Sequence, residues 1–192
     1  MISGYGRTGT SFLVALLTRL GLDTGFTEAD LDLPAPGFAG LEGDVRSDDS
    51  PYVVKSPFLN FYIDEVLAKP DIRLDVVLIP VRDLAAAAAS RERVSRLAAE
   101  AGVPPLGGLI GAKDAADQVQ ILARQLHRLV ERLSAAAVPM VIIQFPRLAR
   151  DPAYLYEALH AWLPGVDFAT FQSAFERTAR PELIHDFDAR PA

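Results

Sequence analysis

The stretch LDVVLIPVRDLAAAAASR, residues 74–91, joins a continuous run of branched apolar residues to an alanine-rich segment. Such a run, without polar alternation, is typical of a strand buried on both faces of a parallel sheet. Asp83 stands where a helix N-cap is expected, and a helix is predicted over residues 84–99. The stretch therefore predicts the strand–turn–helix unit from which α/β folds are built.

The same alternation continues on both sides of this stretch. Strands are predicted at residues 1–3, within PYVVKSP (51–57) and as a second buried strand at PMVIIQF (139–145). Helices are predicted over residues 10–20, 58–67, 114–136, 152–162 and 168–178. We therefore expect one α/β domain over residues 1–192, with a mostly parallel sheet.

Composition excludes several function classes. The net charge of -6 and the pI near 5.0 argue against broad nucleic-acid binding, which needs a basic face. The absence of cysteine excludes disulfides, thiol catalysis and cysteine-based zinc sites. The longest apolar strand-like run, residues 76–81, is too short to cross a bilayer, and Met1 leads directly into a glycine loop without a signal-peptide pattern. We expect a cytoplasmic protein with no membrane partner, and a homodimer is possible.

The segment SGYGRTGTSF, residues 3–12, places a glycine-rich turn between a short strand and a helix. This arrangement directs backbone N–H groups and a helix dipole at one point and so predicts an anion site. The ATP loop pattern G-x-x-x-x-G-K-[ST] would have lysine where Thr10 stands, and the cation here is Arg7 instead. Phosphate is expected to bind to Arg7, Thr8, Gly9, Thr10 and Ser11.

A second anion-binding cluster is predicted within the opening stretch. Arg82 ends the buried strand, at the edge where open α/β sheets bind ligands. Ser90 follows the cap Asp83 by seven residues, about two helical turns, and so lies on the same face as the cap. A guanidinium and a hydroxyl placed in this way can hold one phosphate jointly.

Together, GRTGTS (residues 6–11) and VRDLAAAAASR (residues 81–91) resemble the sulfotransferase superfamily. The resemblance implies a three-layer sandwich with a P-loop NTPase-like fold and no required metal. It also implies that the glycine loop binds the 5′-phosphosulfate of PAPS and that Arg82 and Ser90 bind its 3′-phosphate. The reaction would transfer a sulfuryl group to a hydroxyl or amine of a small-molecule or glycan acceptor, with PAP as the product.

The resemblance extends to Lys55 in PYVVKSPF, which would stabilise the leaving phosphate as its charge develops. Many cytosolic members have a histidine base where this chain has Pro57. Tyrosylprotein sulfotransferases take a glutamate about 21 residues beyond the loop cation, and that count reaches Glu28. Glu28 is therefore the first candidate base. Asp30 is the second, and the alternative is that both acids belong to the first turn of a short helix capped by Thr27.

Two other functions remain open at the level of sequence. One is a P-loop kinase or NTPase using ATP and Mg²⁺, although no acidic residue ends the strand to hold the metal. The other is a non-catalytic relative that binds a nucleotide or a partner protein. Residues 23–50, a long loop with a short helix near 27–31, and the turn-rich residues 102–111 are expected to form the acceptor mouth and its lid. The weaker base candidates are His127, His160 and His185.

Overall fold

The computed structural model describes residues 1–33 and 39–184. Its helices are α1 (Thr10–Arg19), α2 (Leu59–Ala68), α3 (Leu84–Ala101), α4 (Ala115–Ala135), α5 (Pro152–Leu159) and α6 (Phe168–Thr178). Its strands are β1 (Val77–Val81) and β2 (Met140–Gln144), and short 3-10 helices lie at Glu28–Leu31, Arg147–Ala149, His160–Trp162 and Pro181–Leu183. The expected α/β class is confirmed.

Strands β1 and β2 form a small parallel sheet, with Val77 opposite Met140. In place of the strands predicted at residues 1–3 and 51–57 the structure has isolated bridges, in which Ile2 pairs in parallel with Lys55 and with Leu78. These bridges give the lateral order Lys55, Ile2, β1, β2. Since all four segments run in the same direction, their carboxyl ends meet at one edge.

The side chains of β1 alternate between two apolar clusters, as the two-residue period of a strand requires. Leu78 belongs to a cluster with residues of α1, α5 and α6, while Val77 and Ile79 belong to a cluster with residues of α2 and α4. The first cluster includes Leu16, Ile143, Leu155 and Phe171, and the second includes Ile63 and Leu129. Burial of these apolar side chains is the main stabilising contribution to the fold.

Strand β2 differs from the prediction. Its sequence predicts burial on both faces, but Ile143 is fully buried while the neighbouring Ile142 is 58% exposed. Within the described residues β2 ends the strand order, so it has a paired strand on one side only. A run of consecutive apolar residues therefore predicted the strand correctly and its burial wrongly.

The helix caps follow the sequence closely. Asp83 accepts a hydrogen bond of 2.9 Å from the backbone N–H of Ala86, which confirms it as the N-cap of α3. Asp151 caps α5 in the same way, with Pro152 in the first turn. Across residues 1–33 and 39–184, the helices lack the combination of length and apolar character needed to span a membrane.

We expect Ile143→Ala to lower the free energy of unfolding by about 2–5 kcal/mol, because it leaves a cavity in the cluster formed by α1, α5 and α6. The matched control is Ile142→Ala, which removes the same atoms from an exposed position of the same strand and should cost less than about 1 kcal/mol. Urea denaturation of the two variants measures the difference. Equal losses would contradict the assignment of the buried face of β2.

Candidate functional site

A cavity of about 570 Å³ lies at the carboxyl edge of the strands. It brings together nearly every residue that the sequence nominates, from segments far apart in the chain. The nominated residues that line it are Arg7, Gly9, Thr10, Ser11, Glu28, Lys55, Arg82 and Ser90. Thr8 does not line it: its side chain is fully buried, and its hydroxyl has no hydrogen-bond partner among the described residues.

The glycine loop leads directly into α1. Gly9 is the N-cap of α1 with φ of +85°, a conformation that favours glycine. A Cβ atom at Gly9 would also approach Leu148 to 3.0 Å and Phe145 to 3.1 Å. Thr10 and Ser11 therefore begin the helix at the cavity, where the first-turn N–H groups and the helix dipole favour an anion.

Arg7 connects the two anion-binding clusters that the sequence predicts separately. Its Nε donates a hydrogen bond of 3.1 Å to the Oγ of Ser90 on α3. Burial and, to a smaller extent, the positive charges of Arg82 and Arg93 together lower the pKa of Arg7 to about 10. Cationic side chains are therefore crowded together at this end of the cavity, and a bound anion would reduce their mutual repulsion.

Tyr5 fixes the glycine loop to the end of β1. The backbone N–H of Arg82 donates to the Tyr5 hydroxyl at 2.6 Å, and the same hydroxyl donates to the carbonyl of Arg82. The guanidinium of Arg82 lies 5.0 Å from the centre of the Phe145 ring. Burial raises the pKa of the Tyr5 phenol, which keeps the hydroxyl protonated. The position of Arg82 thus depends on a loop residue that the sequence reading did not single out.

Arg91 is a second residue that the sequence reading missed. It is only 3% exposed, and its Nη2 donates to the carbonyl of Tyr5 at 2.6 Å. Its Nη1 donates to the carbonyl of Gly108 at 2.5 Å. Burial and the charge of Arg7 lower the pKa of Arg91 to about 10. Arg91 therefore joins the glycine loop to the segment of residues 102–111, and its position directly after Ser90 is the signal that could have identified it.

Lys55 lies against the start of α1. Its Nζ donates to the Oγ of Ser11 at 3.1 Å and to the carbonyl of Gly40, and it lies 2.7 Å from Oε1 of Glu42. Burial lowers the pKa of Lys55, and the charge of Glu42 opposes that shift. Glu42 also lines the cavity. It comes from the long loop predicted over residues 23–50, in which the sequence reading selected Glu28 and Asp30 but not Glu42.

Glu28 is held in ion pairs. It accepts from Arg19 Nη2 at 2.8 Å and lies 3.5 Å from Arg177, and the hydrogen bond from Arg19 is the main reason that its pKa is lowered. Asp30 accepts from the backbone N–H of Thr27 at 2.8 Å and forms a capping box. The alternative of a short capped helix is therefore confirmed, and the role of Glu28 as a base stays a prediction.

The cavity extends along a stripe of α1 that includes Ser11, Phe12, Ala15 and Arg19. Ser11 and Arg19 are eight residues apart in this helix, which separates them by about 12 Å along its axis. Lys55 contacts Ser11 and Glu28 contacts Arg19, so the predicted leaving-group lysine and the predicted base lie toward opposite ends of this stripe.

The remaining sequence-based expectations concern loops and histidines. Gly107 and Ile110 line the cavity, as do Leu33 and other residues of the long loop, so both segments border it, while their roles as acceptor mouth and lid stay a prediction. His127 is exposed on α4, and His160 Nδ1 lies 2.9 Å from the carbonyl of Glu157, outside the cavity. His185 lies outside the described residues.

We expect Gly6→Ala to destabilise the protein more than Gly102→Ala does. Both glycines have positive φ, +71° and +66°, so both variants include a backbone cost of about 1–2 kcal/mol. A Cβ at Gly6 would lie 2.6 Å from Arg91 Nη2, whereas nothing lies within 4 Å at Gly102. Gly6→Ala should therefore cost about 1 kcal/mol more in urea unfolding, through the disturbed Arg91 hydrogen bonds. Equal costs would show that Arg91 does not hold the loop.

Comparison of the chain with protein-family models, with curated proteins and with solved structures gives no significant match. The chemistry of the cavity therefore rests on the residues described above.

Proposed function

We propose that the chain is a PAPS-dependent sulfotransferase, which transfers a sulfuryl group to a hydroxyl or amine of a small-molecule or glycan acceptor. The observation that carries this proposal is the contact between Arg7 and Ser90. It joins two anion-binding clusters, predicted from separate motifs, in one cavity that Lys55 also lines. PAPS carries both a phosphosulfate and a phosphate, and Arg7, Lys55 and Arg82 provide cations in this cavity for both groups.

The arrangement of the sheet supports a matching fold proposal. The lateral order Lys55, Ile2, β1, β2, with apolar clusters on the two faces of β1, is consistent with a three-layer sandwich of the P-loop NTPase-like kind. In such folds ligands bind beyond the carboxyl ends of the strands. The cavity lies at that edge.

The roles of the residues follow from their charge and position. Arg82 and Ser90 would hold the 3′-phosphate of PAPS, and Lys55 would neutralise the charge that develops on the departing 5′-phosphate. The residues of the glycine loop that line the cavity and would bind the 5′-phosphosulfate are Arg7, Gly9, Thr10 and Ser11. The transfer also needs a proton acceptor, for which the sequence nominates Glu28. In this proposal the enzyme is cytoplasmic and uses no metal.

The two rival functions differ in their ligands. A P-loop kinase or NTPase would bind ATP with Mg²⁺ and would not need Arg82 and Ser90 for a second phosphate. A non-catalytic relative would bind PAP or PAPS without cleaving PAPS.

The test is an equilibrium titration with PAP, with PAPS and with ATP plus Mg²⁺. We expect metal-independent binding of PAP, weakened about 10- to 100-fold in Arg7→Ala and in Arg82→Ala, because each removes charge-assisted hydrogen bonds to a phosphate. Arg96→Ala is the matched control, since Arg96 is exposed on α3 and pairs with Glu100 away from the cavity. It should bind PAP as the wild type does.

The outcomes separate the three functions. A preference for ATP with Mg²⁺ over PAP would reject the sulfotransferase proposal. Binding of PAP without release of PAP from PAPS, with water, a phenol, an amine or a glycan as acceptor, would favour a non-catalytic relative.

A further inference from the structure

The amino group of Lys55 is fully engaged by the protein. An ammonium group has three N–H donors, and among residues 1–33 and 39–184 three oxygens surround Nζ: Ser11 Oγ, the Gly40 carbonyl and Glu42 Oε1. The Lys55 side chain is 2% exposed, so it cannot turn toward bulk water for another partner. A ligand oxygen can therefore reach Lys55 only by replacing one of these three.

Glu42 is the partner most easily replaced. Ser11 belongs to α1, and the Gly40 oxygen is part of the backbone, whereas the Glu42 carboxylate ends a flexible side chain that is 41% exposed. An anionic ligand at Lys55 would also repel the negative charge of Glu42 but not the neutral Ser11 or Gly40. Charge and mobility both indicate that an incoming phosphate displaces the carboxylate.

We propose that binding of the sulfuryl donor breaks the ion pair between Lys55 and Glu42, and that the released Glu42 carboxylate accepts the proton of the acceptor. This inference rests on the proposed function. Before the donor binds, Lys55 is paired with Glu42. Afterwards, Lys55 is paired with the 5′-phosphate of the donor. Removal of the neighbouring cation makes a carboxylate a better proton acceptor. The base therefore becomes available only when the donor is in place.

The transfer step is balanced as follows. The bond between sulfur and the bridging oxygen of the 5′-phosphate breaks, and its electron pair stays on that oxygen beside Lys55. The acceptor oxygen or nitrogen forms the new bond to sulfur, and its proton moves to Glu42. The products are PAP, the sulfated acceptor and a protonated Glu42, which then loses its proton to solvent.

Glu28 does not share this position. Arg19 and Arg177 hold its carboxylate, and the Arg19 end of α1 lies about 12 Å along the helix axis from Ser11. A donor bound at Lys55 would not replace the partners of Glu28. The proposal therefore assigns the proton transfer to Glu42 in place of Glu28.

The variant Glu42→Gln tests both parts of the proposal, because it keeps the side-chain length and removes the charge. Since PAP no longer competes with a carboxylate for Lys55, it should bind about five- to tenfold tighter than to the wild type. Release of PAP from PAPS, with water or phenol as acceptor, should slow by about a hundredfold or more, because both acceptors must lose a proton during the transfer. Tighter binding and slower turnover in the same variant is a combination that general damage to the site would not produce.

Glu65→Gln is the matched control, since Glu65 pairs with Arg46 at 2.5 Å outside the cavity. It should leave both PAP affinity and turnover unchanged. Unchanged or weaker PAP binding in Glu42→Gln, or unchanged turnover, would overturn the inference while leaving PAP binding by the wild type intact. Failure of the wild type to bind PAP would instead reject the proposed function, and the inference with it.

The wild type provides an independent measurement if Glu42→Gln does not fold. Hydrogen–deuterium exchange at the N–H of Gly43, which donates to the carbonyl of Lys55 at 2.9 Å, should become faster when PAP is added, because the neighbouring Glu42 loses its ion pair to Lys55. Slower or unchanged exchange there would contradict the displacement of Glu42.

Discussion

The site depends on the pairing of Ile2 with Lys55 on one side and Leu78 on the other. This single residue aligns three chain segments in parallel, so the glycine loop, Lys55 and the end of β1 arrive at the same edge. Ile2 is fully buried in the cluster packed around α1, α5 and α6. Apolar packing at residue 2 therefore determines where the charged residues of the cavity stand.

Those charged residues carry a cost that the fold compensates locally. Lys55 and Arg91 are each only 3% exposed, and burial lowers the pKa of both. Carbonyl groups satisfy much of their hydrogen-bonding capacity: Gly40 for Lys55, and Tyr5 and Gly108 for Arg91. Neutral carbonyls satisfy a donor without cancelling its charge. Positive charge is thus retained at Arg91, whereas the charge of Lys55 is balanced by Glu42.

Local sequence patterns predicted the parts of the site that depend on local structure. The glycine loop, the Asp83 cap and the Arg82–Ser90 spacing each lie within one strand–turn–helix unit, where rise and periodicity determine position. Glu42, Tyr5 and Arg91 act through contacts between distant segments, which periodicity does not describe. The exposure of Ile142 was likewise not predictable, because it depends on the place of β2 in the strand order.

Arg91 has a consequence for the two segments that it joins. Its guanidinium bonds simultaneously to the glycine loop at Tyr5 and to the segment of residues 102–111 at Gly108. Moving that segment outward breaks a buried hydrogen bond or pulls the loop with it, and either costs free energy. The segment and the loop are therefore coupled through one side chain, so that a change which orders one of them also stabilises the other.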